Sequence, residues 1–373
     1  MKRWITIISL LLLSACTTGG SGVVEADTLE TNFVQTTIRL ERTFLYALAG
    51  SNLHAFLVNP GEEILAHGEA DEEEGPEGGT LEGLDGSPFD LGAAVVDAAA
   101  AREGRFLYFA DQAGRRILAF EVNGATGRLG ALPGLTLTQS PARLLSLGER
   151  LIALGTRITL LEVDQAGGLS QVSEDNQAAT AGLIADDLLL TVDNNSVTSW
   201  RIGDNGLTML GMTPLGAGEH PALLLLDDLL LVANRTTSVL HRVRVGPNGG
   251  LTGLADFALP ADQMGPSDLI AFEDRVVVAN RDSDNLSLLE VDPLTGDITA
   301  EPALESGGSG PVRLIGALDF VYVAHQNDGA VSLLESDEGE LEVHEDTFET
   351  EPGVGPLVSI DRVESVEVTT PIQ

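Results

Sequence analysis

Hydrophobic and polar positions along this chain alternate in blocks of one kind. "VVVANRDSDNLSLLEVDPLTGDI", Val276 to Ile298, shows the block. An unbroken apolar run stops at Asn280. A polar turn follows, then a half-apolar run, then Asp-Pro-x-Thr-Gly. The first run is apolar throughout, as a strand buried on both faces must be. The second, Leu286 to Val291, is punctuated by Ser287 and Glu290, as a strand with a wetter face would be. Asp, Asn and Gly between the runs are hairpin-turn residues, with Gly supplying positive φ.

The block recurs. Phe44-Leu45-Tyr46-Ala47-Leu48, Phe106-Leu107-Tyr108-Phe109-Ala110 and Leu151-Ile152-Ala153-Leu154 each open a copy. Others open at Leu188, Leu229 and Phe320, and with Val276 they make seven. From Phe106 to Phe320 the period is about 43 residues, within the range of four-stranded propeller blades. Many copies are preceded by a Gly/Pro step and a further apolar strand. Examples are Pro141-Ala142-Arg143, Pro221-Ala222-Leu223, Gly265-Pro266, Gly310-Pro311 and Gly355-Pro356. Proline suits the first residue of a strand entering from a loop. Helical repeats would show a 3.6-residue period, and none is present. The pattern predicts an all-β propeller of seven four-stranded blades over residues 37–360.

One count stays open. Pro356 to Ile360, continued by Val363, Val366 and Val368, reads as a further strand in a C-terminal segment, 361–373, that is either a tail or a closing strand. It would complete the first blade beside the N-terminal strands. If Val34 to Leu40 already supplies that blade's first strand, an eighth, split blade results.

The N-terminus predicts export. Lys2 and Arg3 precede a short apolar stretch, Ile5 to Leu13, too short to span a bilayer. Leu13-Ser14-Ala15-Cys16 matches a bacterial lipobox. Residues 1–15 are thus expected to be a lipoprotein signal peptide, Cys16 the lipidated residue, and 16–36 a flexible tether containing Gly19-Gly20-Ser21-Gly22. Cys16 is the only cysteine, so it has no disulfide partner. Thr17 rather than Asp after it resembles outer-membrane lipoproteins of Gram-negative bacteria. The expected setting is the cell envelope, with the membrane as a partner through the lipid.

Charge narrows the partners. The chain carries 57 acidic and 20 basic residues, a net charge of −37. Such a chain repels nucleic acid and anionic surfaces. Lys2 is its only lysine. The acids are spread along the whole sequence, as in a solvated surface adapted to salt. Around Glu69 to Gly79 they form an insertion, "EADEEEGPEGG", without the spaced ligands of a calcium loop.

"GRFLYFADQAGRRILAFEVNGATGRL", Gly104 to Leu129, resembles the repeat of the seven-bladed lactonase-like propellers, and so does the Val276 block. The likeness covers essentially residues 37–360. It implies the propeller fold and a family that includes 6-phosphogluconolactonases, a muconate cycloisomerase and exported propellers without a shown reaction. Enzymatic members tend to carry Pro-Arg-His where a blade begins. Here the matching places read Pro141-Ala142-Arg143, Pro221-Ala222-Leu223, Pro266-Ser267-Asp268 and Pro311-Val312-Arg313. None has the histidine, and His220 precedes its proline.

Candidate site residues stand at the ends of the apolar runs: Asp111, Asp193, Asn234, Asn280 and His325. Arg235, Arg281 and Gln326 follow three of them. Equivalent places in a ring are expected to converge on one mouth of the central channel, where arginines would suit a carboxylate or phosphate. The same residues are also simple turn formers. His325 replaces Asn in its copy and would be a general base if a carboxylate lay beside it. No metal-ligand spacing joins His54, His67, His220, His241 and His344 to it, and neither metal nor cofactor is expected. Tryptophan is too scarce for a quinone-cofactor propeller.

Two functions are compatible with these residues. One is a non-catalytic binding or scaffold propeller, lipid-anchored in the envelope, whose partner is an envelope protein or a small anionic ligand. The other is a lactonase-like enzyme that hydrolyses or isomerises a lactone, with His325 and Arg281 as its candidate catalytic pair.

Overall fold

The computed structural model describes residues 33–59, 78–337, 340–344 and 348–371. The expected signal peptide, Cys16, most of the tether and most of the acidic insertion lie outside them. Every regular element among the described residues is a β-strand. Contacts separate a large unit, Arg39–Ser365, from a small one containing the chain ends. In the small unit only the strand ends at 33–38 and 366–371 are described.

The large unit is a propeller of seven antiparallel sheets. Blade 2 shows the plan. Its innermost strand is Ala98–Ala101, followed outward by Phe106–Asp111, Arg116–Val122 and Leu129–Thr136. The second strand is buried at all six positions, because neighbouring blades cover both its faces. The third strand is partly exposed, as its punctuated sequence requires.

Blade 1 resolves the count. Phe33–Ala49 is one continuous strand, so Val34 to Leu40 and Phe44 belong to the same element. The C-terminal strand Val354–Pro371 pairs beside it as the innermost strand of blade 1. The ring therefore has seven blades and closes through the pairing of these two strands. This closing strand passes through Ile360.

Seven hydrophobic clusters hold the ring, one between each pair of neighbouring blades. The cluster joining blades 1 and 2 contains Phe44, Tyr46 and Phe109. The one joining blades 7 and 1 contains Tyr322, Ala324 and Leu357. Burying one such aromatic side chain stabilises the fold by about 1.5–3 kcal/mol.

The Phe-Leu-Tyr opening and the Gly that closes the block are two halves of one latch. Tyr46 Oη donates to the carbonyl of Gly127 in blade 2 at 2.7 Å. Tyr108 does the same to Gly167 in blade 3 at 2.9 Å, and Tyr322 to Gly79 in blade 1 at 2.6 Å. These glycines have φ of +65°, +83° and +80°. Each also lies against the phenylalanine two places before the tyrosine. A Cβ on Gly167 would stand 2.6 Å from the Phe106 ring. Turn glycine, phenylalanine and tyrosine thus recur together in blades 7, 1 and 2, where each blade grips the turn of the next.

Candidate functional site

The inner strands begin around a cavity of about 310 Å3 at one mouth of the channel. Four arginines line it: Arg143, Arg235, Arg281 and Arg313. Glu219, Gln326 and Ser267 join them, with Pro221 and Pro356 among the apolar walls.

Three of these side chains are placed by one backbone device. The N–H of Arg235 donates to the carbonyl of Glu219, that of Arg281 to Gly265, and that of Gln326 to Gly310, at 2.9–3.0 Å. In each case the residue after the second strand is tied to the segment that leads into the innermost strand of its blade. Its side chain is thereby held at the mouth. Arg235 pairs with Asp282 at 2.8 Å and more loosely with Glu219 at 3.5 Å. Its buried Nε has no partner. Arg281 hydrogen-bonds Gln326 Oε1 and forms no ion pair among the described residues. Burial first, and then the like charge of Arg235, lower its pKa.

Two further arginines come from the innermost strands. Arg143 and Arg313 each sit two residues beyond the opening proline, just past a β-bulge. Asp268 occupies the same place in blade 6. Bulges re-aim side chains, and here they accompany side chains that face the channel. Below the mouth, a second cavity of about 260 Å3 lies between the inner strands, and Arg143 and Arg313 line both.

There they meet two buried carboxylates. Asp97 Oδ1 accepts from Arg143 at 3.3 Å and from Arg313 at 3.2 Å, while its Oδ2 accepts the Leu144 N–H at 2.8 Å. Asp268 Oδ2 accepts the Leu314 N–H at 2.9 Å, with Arg313 at 3.6 Å. Arg143 also donates to the carbonyl of Pro221 in blade 5. Two of these contacts, Arg313 with Asp97 and Arg143 with Pro221, join blades that are not neighbours, so the cluster forms a floor between mouth and channel. Burial raises the pKa of both acids, against the pull of the arginines and the amides. For Asp268 it reaches about 7.

The candidate strand-end residues lie one strand further out and do not line either cavity. They close their own turns. Asp111 accepts from Gly114 N–H and from Arg116, both at 2.7 Å. Asp193 accepts the N–H groups of Asn195 and Ser196. Asn280 donates to Ser287 and Asn285. Asn234 accepts from Thr237 N–H and presents its amide nitrogen to Nε2 of both His220 and His241, at 3.4 and 3.1 Å. His241 Nδ1 in turn meets Asp256 at 2.9 Å. Donor accounting makes both histidines Nδ1–H tautomers.

His325 is fully buried, and its Nε2 meets Ser332 Oγ at 2.8 Å. Ser332 gives its own proton to the Ser306 carbonyl at 2.7 Å, so His325 carries its hydrogen on Nε2. Its Nδ1 has no partner, and Gly308 lies against the ring. Burial lowers its pKa. No carboxylate hydrogen-bonds it, and it does not converge with Arg281 in the cavity. Among the described residues, no three His, Cys, Asp and Glu side chains are grouped to hold a metal ion.

Of the residues around the two cavities, Arg235, Arg281 and Gln326 are legible in the sequence, whereas Arg143, Arg313, Asp97, Asp268 and Glu219 are not among the candidates that it offers. A signal existed for three of them. Arg143, Asp268 and Arg313 all fill the third place of the Pro-x-x triplets that open the innermost strands.

Comparison with known proteins places this architecture. A candidate 6-phosphogluconolactonase from Bacteroides fragilis superposes with a TM-score of 0.69 at 16% identity, covering 86% of this chain and 98% of its own. A second, from Bacteroides uniformis, gives 0.71 at 12% identity, over 86% and 99%. The periplasmic gluconolactonase of Pseudomonas aeruginosa gives 0.65 at 17% identity, over 86% and 99%. At these identities the likeness establishes the fold. No family model and no curated protein matches the sequence.

Proposed function

We propose that the channel mouth binds a small organic anion, and that the protein is a non-catalytic binding propeller of the cell envelope, anchored through Cys16 to the outer membrane. The observation that carries the anion site is Arg281. In a chain with 57 acidic residues it forms no ion pair among the described ones, with Asp282 and Glu219 acting on it only from further away, yet it stands beside a second arginine at a cavity wall. Leaving a half-buried cation unpaired next to a like charge costs free energy, and an incoming carboxylate or phosphate would recover it. The orphaned Nε of Arg235 is a second donor without an acceptor.

The lactonase reading is the alternative. The fold shared with proteins named as gluconolactonases favours it. Against it stand the absence of histidine from the blade-opening triplets and the burial of His325 outside the cavity.

Calorimetric titration with D-gluconate and a pH-followed assay on glucono-lactones separate the two. Binding without turnover above the spontaneous rate is expected. Arg281→Ala should weaken gluconate binding by on the order of tenfold or more, the worth of a charge-assisted hydrogen bond. Stereospecific turnover that disappears in Arg281→Ala would establish the enzyme instead.

A further inference from the structure

We propose that the mouth binds its anion together with a proton, which the buried Asp97–Asp268 pair takes up. The inference rests on the anion-site reading above and adds to it a proton-coupled regulation.

The geometry that carries it is the double duty of Arg143 and Arg313. Both wall the mouth and both reach down to Asp97 in the channel, and Arg313 also stands 3.6 Å from Asp268. An anion that engages these guanidiniums from above competes for donors that now compensate Asp97 and Asp268 from below. The acids cannot follow it: Asp97 is held by the Leu144 N–H and Asp268 by the Leu314 N–H. Both are buried, so solvent compensates them little. A buried carboxylate that loses its counter-charge protonates rather than remain charged.

Asp268 is the better acceptor. It has no hydrogen-bonded arginine, only Arg313 at 3.6 Å, and it feels the charge of Asp97. Burial already holds its carboxyl near neutrality. Protonation leaves one oxygen free to keep the bond from Leu314 N–H. The other charged groups at the site are Glu219, Arg235 and Arg281 in the mouth. His220, next to Glu219 in the chain and bonded to the Asp193 carbonyl, is the rival proton acceptor.

Coupling fixes a sign. If the anion raises the carboxyl pKa, binding tightens as pH falls, by at most about tenfold per pH unit for one proton. The rise levels off below the pKa of the ligand-free protein, about 7.

The test is titration of the full chain with D-gluconate, and with sulfate as a probe that does not titrate here. It is run from pH 6.5 to 9 in two cationic buffers of different ionisation heat. The expected result is net uptake of a proton, approaching one per anion near pH 8. Asp268→Asn should abolish most of that uptake and bind gluconate at pH 8 up to about tenfold more tightly than the unaltered protein. Binding that is independent of pH and releases no buffer heat overturns the coupling while leaving the anion site standing. Uptake that survives intact in folded Asp97→Asn/Asp268→Asn overturns it in favour of His220. No binding of either probe at any pH overturns the anion site itself, and the coupling with it. The proton count on the unaltered protein decides the matter even where a variant does not fold.

Discussion

Asp268 illustrates how far burial moves one side chain. Its carboxyl lies in the channel floor with a single amide bond from the next blade and a distant guanidinium, so desolvation outweighs both. Its pKa is raised from 3.8 to about 7, so the folded protein retains a proton that the unfolded chain releases. Stability from this group is present in full below pH 3.8 and is lost as pH rises through 7. Asn at this position is neutral at every pH. Asp268→Asn should therefore melt close to the unaltered protein at pH 4–5 and above it at pH 8. Thermal melts across that range check the sign, and a constant difference would refute it. The same residue shows why the site was only partly legible. Arg281 and Arg235 announce themselves by following an apolar run. Asp268 follows Ser267 in a strand that is otherwise apolar, and nothing local says that it meets an arginine from another blade.

At the scale of the element, the recurrent block is an interlocking part rather than an isolated hairpin pair. In the three copies that carry them, its tyrosine and phenylalanine serve the glycine turn of the following blade, which explains their spacing of two on one strand face. Removing only the hydroxyl, in Tyr108→Phe, should cost about 1 kcal/mol by leaving the Gly167 carbonyl unpaired. Gly167→Ala should cost more, about 1–3 kcal/mol, since the Cβ enters the Phe106 ring and φ is +83°. Gly148→Ala is the control, with φ +58° but open space around its Cβ. Denaturant unfolding of the three variants should rank Gly167→Ala as the most destabilised. The buried second strands were readable because both faces must be apolar. The innermost strands were readable as strands but not as a site, because a bulge beyond the proline changes which face each residue takes.

For the whole molecule, closure and charge act in opposite senses. Seven inter-blade clusters and the pairing of Val354–Pro371 with Phe33–Ala49 draw the ring together. A net charge of −37 pushes it apart. The Debye length falls from about 10 Å at 0.1 M salt to about 3 Å at 1 M, so salt should relieve the repulsion. The melting temperature is expected to rise between dilute buffer and molar sodium chloride, and equal values would count against an acid-strained surface. The same excess of acid gives Arg281 its weight.

The sequence by itself determined the periodic content of this protein: the all-β character, seven copies of the recurrent block, the turn glycines and the buried second strands. These follow from burial on two faces and from turn geometry, which act over a few residues and leave a local pattern. Ring closure decided the rest. Whether Val354–Pro371 founds an eighth blade or completes the first depends on which strand edge it meets. Whether Asp97, Arg143, Asp268 and Arg313 form one cluster depends on four blades facing a common channel. Those contacts join residues as far apart as Arg313 and Asp97, and no local pattern in the chain records them.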